Sequence, residues 1–180
     1  KPIAEGSSKG VTARSLVRER AHLGEACAEL LAEFHQPVLV ERYLPGREVT
    51  VGVLGSGATA RVVAVMEVLF NASADASAYT ALNKEEYLDR VTYRLVSDEP
   101  LASQSRELAL RVHALLGGRD AARVDLRCDD AGQPCFLEVN PLPGLNAVRS
   151  DLPIMARLVG MRFVTLVGSI IDEAALRYRL

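Results

Sequence analysis

The run ARVDLRC, the break DDAGQP and the run CFLEVNP, together residues 122–141, narrow the folds open to this chain more than any other feature. Two alternating segments of strand length flank a break rich in Asp, Gly and Pro, a pattern that predicts an antiparallel hairpin. A period of two sends Val124, Leu126 and Cys128 to one face and Arg123, Asp125 and Arg127 to the other. With Cys128 set opposite Cys135, the apolar face is completed by Cys135, Leu137 and Val139, and the polar face by Phe136, Glu138 and Asn140. Asp125 then faces Glu138, and Arg123 faces Asn140.

Carboxylates directly opposite on adjacent strands have Cβ atoms about 5 Å apart and repel unless positive charge lies between them. A divalent cation supplies that charge, and Asp125, Glu138 and Asn140 are hard oxygen donors suited to Mg2+ held jointly with phosphate and water. Arg123 and Arg127 supply it too, if the rung is a solvated ion-pair network. The hairpin alone leaves both readings open.

Elsewhere strands and helices alternate in blocks, so the fold class is α+β. Residues 16–34 place Leu16, Leu23, Cys27, Leu30, Leu31 and Phe34 at near-helical spacing, predicting a helix with one buried face that Pro37 ends. PVLVERYL predicts a strand, Pro45-Gly46 a turn, and REVTVGVL, Gly55-Ser56-Gly57 and ARVVAVMEVL an antiparallel meander. Residues 71–89 are small, polar and aperiodic, as in a surface loop. SQSRELALRVHALLGG predicts a helix with Leu108, Val112 and Leu115 on its stripe and Gly117-Gly118 as its stop. Residues 152–176 predict two helices broken near Gly160.

With 180 residues, 49% of them hydrophobic, the chain has material for a core and reads as one globular domain or a large piece of one. A net charge of -2 with 21 scattered Lys and Arg residues gives no footprint for a nucleic-acid partner. No apolar run approaches the roughly 18 residues of a membrane span, so no membrane partner is expected. Cys27, Cys128 and Cys135 lack CxxC spacing and read as reduced thiols of a cytoplasmic protein. KPIAEGSSKG starts inside what reads as a functional segment, as in a portion of a longer chain.

EGSSKG, residues 5–10, offers backbone N–H groups unshielded by side chains, two hydroxyls and Lys9, with Lys1 four residues upstream. That suits a phosphate cradle, and equally an ordinary flexible loop, since the GxxxxGK[ST] pattern is absent. An anion loop combined with an oxygen-donor metal site points to phosphoryl transfer more firmly than either alone. In PLPGLN the prolines make a rigid turn, and the Gly144 N–H is a candidate donor to a developing oxyanion. His22, His35 and His113 have no partner at a telling spacing and are assigned no catalysis.

Assembled, the chain resembles the ATP-grasp superfamily and, within it, the C-terminal part of D-alanine:D-alanine ligases. KPIAEGSSKGV, ERYLPGREVTVGVLG, ARVDLRCDDAGQPCFLEVNPLPGLN and SDLP carry the resemblance, in the family's order and over nearly all of the chain. It implies an ATP-grasp domain over residues 1–180, with antiparallel sheets flanked by helices, from a longer ligase whose N-terminal substrate domain lies outside this chain. Lys1 is implied to contact ATP phosphates and the loop containing Glu5, Gly6, Ser7 and Ser8 to close over them. Glu41 and the backbone of Arg42, Tyr43 and Leu44 would meet adenine, and Glu48 the ribose. Asp125, Glu138 and Asn140 would bind two Mg2+, or Mn2+, with Glu138 bridging. Arg123 and the Gly144 N–H would stabilise the tetrahedral intermediate, and Ser150 would hold the carboxylate of the second substrate.

The implied reaction is phosphorylation of a carboxylate by ATP, then attack of an amine on the acyl phosphate. Amino acids are the implied substrates, peptidoglycan synthesis the setting, and a homodimer the assembly to test. The sequence departs from the family in two places. Lys84 matches the lysine of the family's Lys-Tyr loop, but Glu85 stands in place of the Tyr, leaving Ser7 without its usual partner and Tyr79, Tyr87 and Tyr93 as substitutes. Lys9 stands where a small apolar residue is usual. The rival readings are an ATP-grasp ligase for other amino acids or a peptide natural product, a nucleotide-binding module without ligase activity, and a metal-free α+β interaction domain.

Overall fold

The computed structural model describes residues 1–6, 8–70 and 91–179. Ser7 and the loop expected over residues 71–89, with Lys84, Glu85, Tyr79 and Tyr87, lie outside the described residues. The chain divides into two compact units, Lys1–Tyr43 with Phe70–Thr92, and Leu44–Leu69 with Tyr93–Leu180.

The second unit is built on one sheet. Strands β1 (Glu48–Leu54), β2 (Arg61–Phe70), β3 (Val91–Leu95), β4 (Ala121–Cys128) and β5 (Pro134–Asn140) lie in the order β3-β2-β1-β4-β5. β1 runs antiparallel to both β2 and β4, and β4 antiparallel to β5. Every residue of β1 from Val49 to Leu54 is buried, because helices cover both faces of the sheet centre.

Helix α2 (Leu101–Leu115) packs on the face bearing Val49, Val51, Val53, Val124 and Leu126. Its buried stripe is Leu101, Ala102, Ser105, Ala109 and His113, a correction to the expected stripe of Leu108, Val112 and Leu115. Leu115 is 78% exposed, and Leu108 and Val112 only flank the core. Small residues at the contact let the helix lie close to the sheet, and His113 Nε2 meets the Gly55 carbonyl at 3.0 Å. At the β2 end of this face the buried Glu67 carboxylate accepts from Arg47 Nε at 2.7 Å and Arg94 Nη2 at 2.6 Å, while Arg47 also reaches Asp98.

Helices α3 (Asp151–Leu158) and α4 (Phe163–Tyr178) cover the other face, where Leu152, Met155 and Leu166 pack with Leu54, Ala64 and Met66. They are separated at Gly160, φ +78°, as the sequence predicts. Among the described residues no single helix is long and apolar enough to cross a membrane.

In the first unit, α1 (Leu23–Phe34) starts later than expected. Thr12 and Ser15 cap one another around a short 3-10 turn and Leu16 leaves it extended, so local side-chain bonds compete with helix there. No residue of α1 is fully buried; its stripe of Leu23, Cys27, Leu30 and Phe34 is half-covered and Leu31 is exposed. The strand expected over residues 37–44 is also absent. That segment makes one bridge, Pro2 to Val38, with flanking bonds from Leu39 N to Lys1 O and Ile3 N to Pro37 O. Prolines on both sides withhold the donors that a longer ladder needs.

Candidate functional site

On the face that α3 covers, the strands align three rungs: Gly52, Arg123 and Asn140; Thr50, Asp125 and Glu138; and Glu48, Arg127 and Cys135. Asp125 therefore faces Glu138 and Arg123 faces Asn140, as the hairpin predicts. Cys128, however, faces Pro134 and not Cys135, because the register shifts between Asp125 and Leu126 and leaves Leu137 as the extra residue of a β-bulge.

Asp125 is the hub of this face. Its Oδ1 accepts from Thr50 Oγ1 at 2.6 Å and Arg123 Nε at 2.9 Å; its Oδ2 accepts from Arg123 Nη2 at 2.7 Å and Asn140 Nδ2 at 3.1 Å. The same Asn140 nitrogen also donates to Glu138 Oε1 at 3.3 Å. Arg123 extends its remaining nitrogen, Nη1, to Asp151 Oδ2 at 2.7 Å, and the Tyr93 hydroxyl donates to Asp151 Oδ1 at 3.4 Å. Burial opposes the charge on Arg123, but the Asp125 hydrogen bonds and the charges of Asp125, Asp151 and Glu138 outweigh it and hold the guanidinium above its ordinary range. Burial pushes the Asp151 carboxyl up, against the pull of Arg123.

Gly52 makes this arrangement possible. A Cβ there would lie 2.8 Å from Leu152 Cδ1 and 3.2 Å from Met155 Cε. Without one, α3 settles onto the sheet and its first residue, Asp151, comes beside Arg123. Just before α3, Ser150 Oγ accepts from Asn146 N at 3.0 Å, and Asn146 Oδ1 accepts from the N–H groups of Val148 and Arg149. A Cβ on Gly144 would stand 2.6 Å from Ser150 Oγ, so the structure brings these two residues into contact. Glu48 lies 3.5 Å from Arg127, and burial raises its carboxyl, reinforced by Asp125 and Glu138 and opposed by Arg127.

The first unit holds the remaining described residues of the expected site up to Tyr43, and Leu44 begins the second unit. Lys1 Nζ is 2.6 Å from Glu41. Glu5 is bound by Lys9 Nζ at 3.0 Å and by Gln36 Nε2 at 3.0 Å, and Gln36 Oε1 in turn accepts from Ala4 N. The Lys9 hydrogen bond holds the Glu5 carboxyl below its usual range. The loop turns by Lys9 N to Gly6 O and Val11 N to Ser8 O bonds, with Ser8 at φ 61°. Arg42 and Tyr43 are exposed and Leu44 is half-buried.

The D-ala D-ala ligase C-terminus family model matches residues 1–172. The chain belongs to this family. D-alanine--D-alanine ligase from Bordetella pertussis is 36% identical over 181 residues, which is 99% of this chain and 54% of that protein. The solved VanG D-Ala:D-Ser ligase from Enterococcus faecalis superposes with a TM-score of 0.71 at 28% identity, covering 96% of this chain and 48% of that one. D-alanine--D-alanine ligase from Bacillus anthracis, solved in complex with ATP, shares the fold at a TM-score of 0.68 and 24% identity, over 91% of this chain and 49% of that one. The chain thus spans about half the length of the curated relatives it matches.

The D-ala D-ala ligase family implies a divalent cation, and the donor set admits one. No group of three or more His, Cys, Asp or Glu suited to a metal occurs among the described residues, so the set is two carboxylates and an amide. One amide nitrogen bonds both carboxylates, which brings the side chains of Asp125, Glu138 and Asn140 together, and all three carry oxygen donors of the kind Mg2+ takes. One guanidinium faces three carboxyl groups here, Asp125, Asp151 and Glu138, which leaves room for further positive charge. Arg127 pairs with Glu48, and Arg123 with Asp125.

Sequence reasoning missed Thr50 and Asp151. Thr50 is two residues from Glu48 on the same strand face, which is a usable signal; Asp151 follows Ser150 in SDLP, but its link to Arg123 is tertiary.

Proposed function

We propose that residues 1–180 are the ATP-grasp domain and C-terminal portion of an ATP- and Mg2+-dependent carboxylate-amine ligase of the D-alanine:D-alanine type. The observation that carries this is the meeting of Asp125, Glu138 and Asn140 beside Arg123 in a chain of this family. Lys1 and the loop of Glu5, Gly6 and Ser8 take the phosphates; Glu41 and the backbone of Arg42, Tyr43 and Leu44 take adenine; Glu48 takes the ribose. Asp125, Glu138 and Asn140 hold the cations, which when bound neutralise phosphate charge and polarise the phosphoryl group. Arg123 and the Gly144 N–H orient and stabilise the oxyanion as the amine attacks the acyl phosphate. Ser150, fixed by Asn146 and by its contact with Gly144, holds the carboxylate of the attacking amino acid. Lys84 completes the assignment as a group that acts on the phosphates, and Ser7 belongs to the loop that closes over them. A cytoplasmic setting, where ATP and free amino acids are both present, belongs to the same reading, and a homodimer remains its proposed assembly.

The test is Mg2+-dependent phosphate release from ATP by the full-length protein, stimulated by D-alanine. If no amino acid stimulates release, the ligase assignment falls and a nucleotide-binding module takes its place. Glu138→Gln should cost several kcal/mol of transition-state stabilisation, and near-normal turnover in that variant sinks the metal assignment. The second reading, a ligase joining D-alanine to another acceptor or a different pair of amino acids, is favoured by the similarity to a protein named as a D-Ala:D-Ser ligase. Comparing D-serine with D-alanine as acceptor decides between them.

A further inference from the structure

Four of the contacts to Asp125 are with Arg123 or Asn140, and Thr50 supplies a fifth. An arginine fork lying on a carboxylate in this way competes directly with a cation for the same oxygens. Arg123 is not committed to Asp125 alone. Its Nη1 is 2.7 Å from Asp151, whose other oxygen accepts from Tyr93, and Asp151 is fixed as the first residue of α3 by the close seat of Leu152 over Gly52. Asp151 lies on a helix and Asp125 on a strand, so one guanidinium is divided between two rigid elements.

We propose that Asp151 is a positioning residue: it shares the Arg123 guanidinium with Asp125, and so leaves Asp125 able to accept a divalent cation while Arg123 stays extended toward the reacting carbonyl. When a cation takes Asp125, Arg123 loses its bidentate partner and keeps its contact to Asp151. Without Asp151 the whole guanidinium charge falls on Asp125, and the cation must displace it. This inference rests on the reading of Asp125, Glu138 and Asn140 as cation ligands, and it adds a residue outside that set.

Mn2+ binding to the protein, followed by water-proton relaxation without nucleotide, tests it apart from turnover. Asp151→Asn should weaken Mn2+ binding roughly five- to tenfold, and Tyr93→Phe should do so by a smaller factor. Removing a nearby negative charge weakens cation binding on its own, so the decisive comparison is made in the Arg123→Met background. There Asp151→Asn should weaken binding by a clearly smaller factor, that of its lost charge alone, because the competitor it restrains is gone. An equal loss in both backgrounds, or unchanged Mn2+ affinity in Asp151→Asn, overturns the proposal and leaves the metal reading intact. Mn2+ binding that is absent from the wild type, or indifferent to Glu138→Gln, overturns both. Should Asp151→Asn fold poorly, Tyr93→Phe carries the same comparison.

Discussion

The tightest structural test lies at Gly52. Alanine there adds one methyl to ordinary strand backbone, facing Leu152 Cδ1 at 2.8 Å and Met155 Cε and Sδ at 3.2 and 3.3 Å. Carbon atoms pack at about 3.5–4.0 Å, so the Leu152 methyl must retreat by roughly 0.7 Å or more. Leu152 and Met155 are both fully buried in the cluster that seats α3, and there is little room to retreat into. Overpacking of this kind costs about 1–3 kcal/mol. Removing a strand glycine returns roughly 0.5–1 kcal/mol, chiefly through the unfolded chain. The net expectation for Gly52→Ala is a loss of about 0.5–2 kcal/mol, read from the urea midpoint multiplied by the slope. Leu152→Val trims the opposing side chain, so the double variant should be more stable than the sum of the single losses by about 0.5 kcal/mol or more. A midpoint at or above wild type with an unchanged slope, or simple additivity, would refute the claim that Gly52 sets the height of α3.

Three further outcomes follow from the same geometry. Arg47 hydrogen bonds, with help from Arg94, hold the buried Glu67 carboxyl below its usual range, so its stabilising contribution is present above the unfolded value of about 4.3 and is lost as pH falls through the lower folded value; Glu67→Gln should cost about 1–2 kcal/mol at neutral pH and flatten the acid limb of the stability profile measured by urea unfolding. Gly144→Ala places a Cβ 2.6 Å from Ser150 Oγ and should raise KM for the accepting amino acid roughly tenfold, about the worth of one hydrogen bond, with KM for ATP little changed. Lys9→Met removes the cation that pins Glu5 and should raise KM for ATP while the melting temperature barely moves; an unchanged KM would show that the latch is incidental.

How far the molecule was legible beforehand depended on the range of the interactions involved. The β4–β5 pairing near Asp125 was readable because a period-two pattern records which residues share a face, and that pattern survives a bulge placed beyond the rung of interest. Pairing Cys128 with Cys135 is off by one residue, since nothing local to Leu137 distinguishes a bulge from a regular strand. The α2 stripe escapes a polarity pattern because Leu115 is apolar but exposed, whereas Ser105 and His113 are polar but buried; a close helix-sheet contact selects for size as well as polarity. The segment over residues 37–44 looked strand-like by composition, yet a ladder needs a partner with free donors. Asp151 stayed hidden for the same kind of reason, because its meaning depends on where Gly52 allows α3 to rest.

The bulge at Leu137 also bears on how copies of this chain meet one another. Among the described residues β5 is the end strand of the sheet, and a long regular end strand is a template onto which a strand from a second molecule can add. Here regular pairing is broken between Asp125 and Leu126, the strand begins at a proline that offers no N–H, and Glu138 next to the break is exposed. Each of these shortens or charges the edge that a stray strand would copy. The extra residue within the hairpin that sets Asp125 against Glu138 therefore also makes its outer border a poor seed for aggregation.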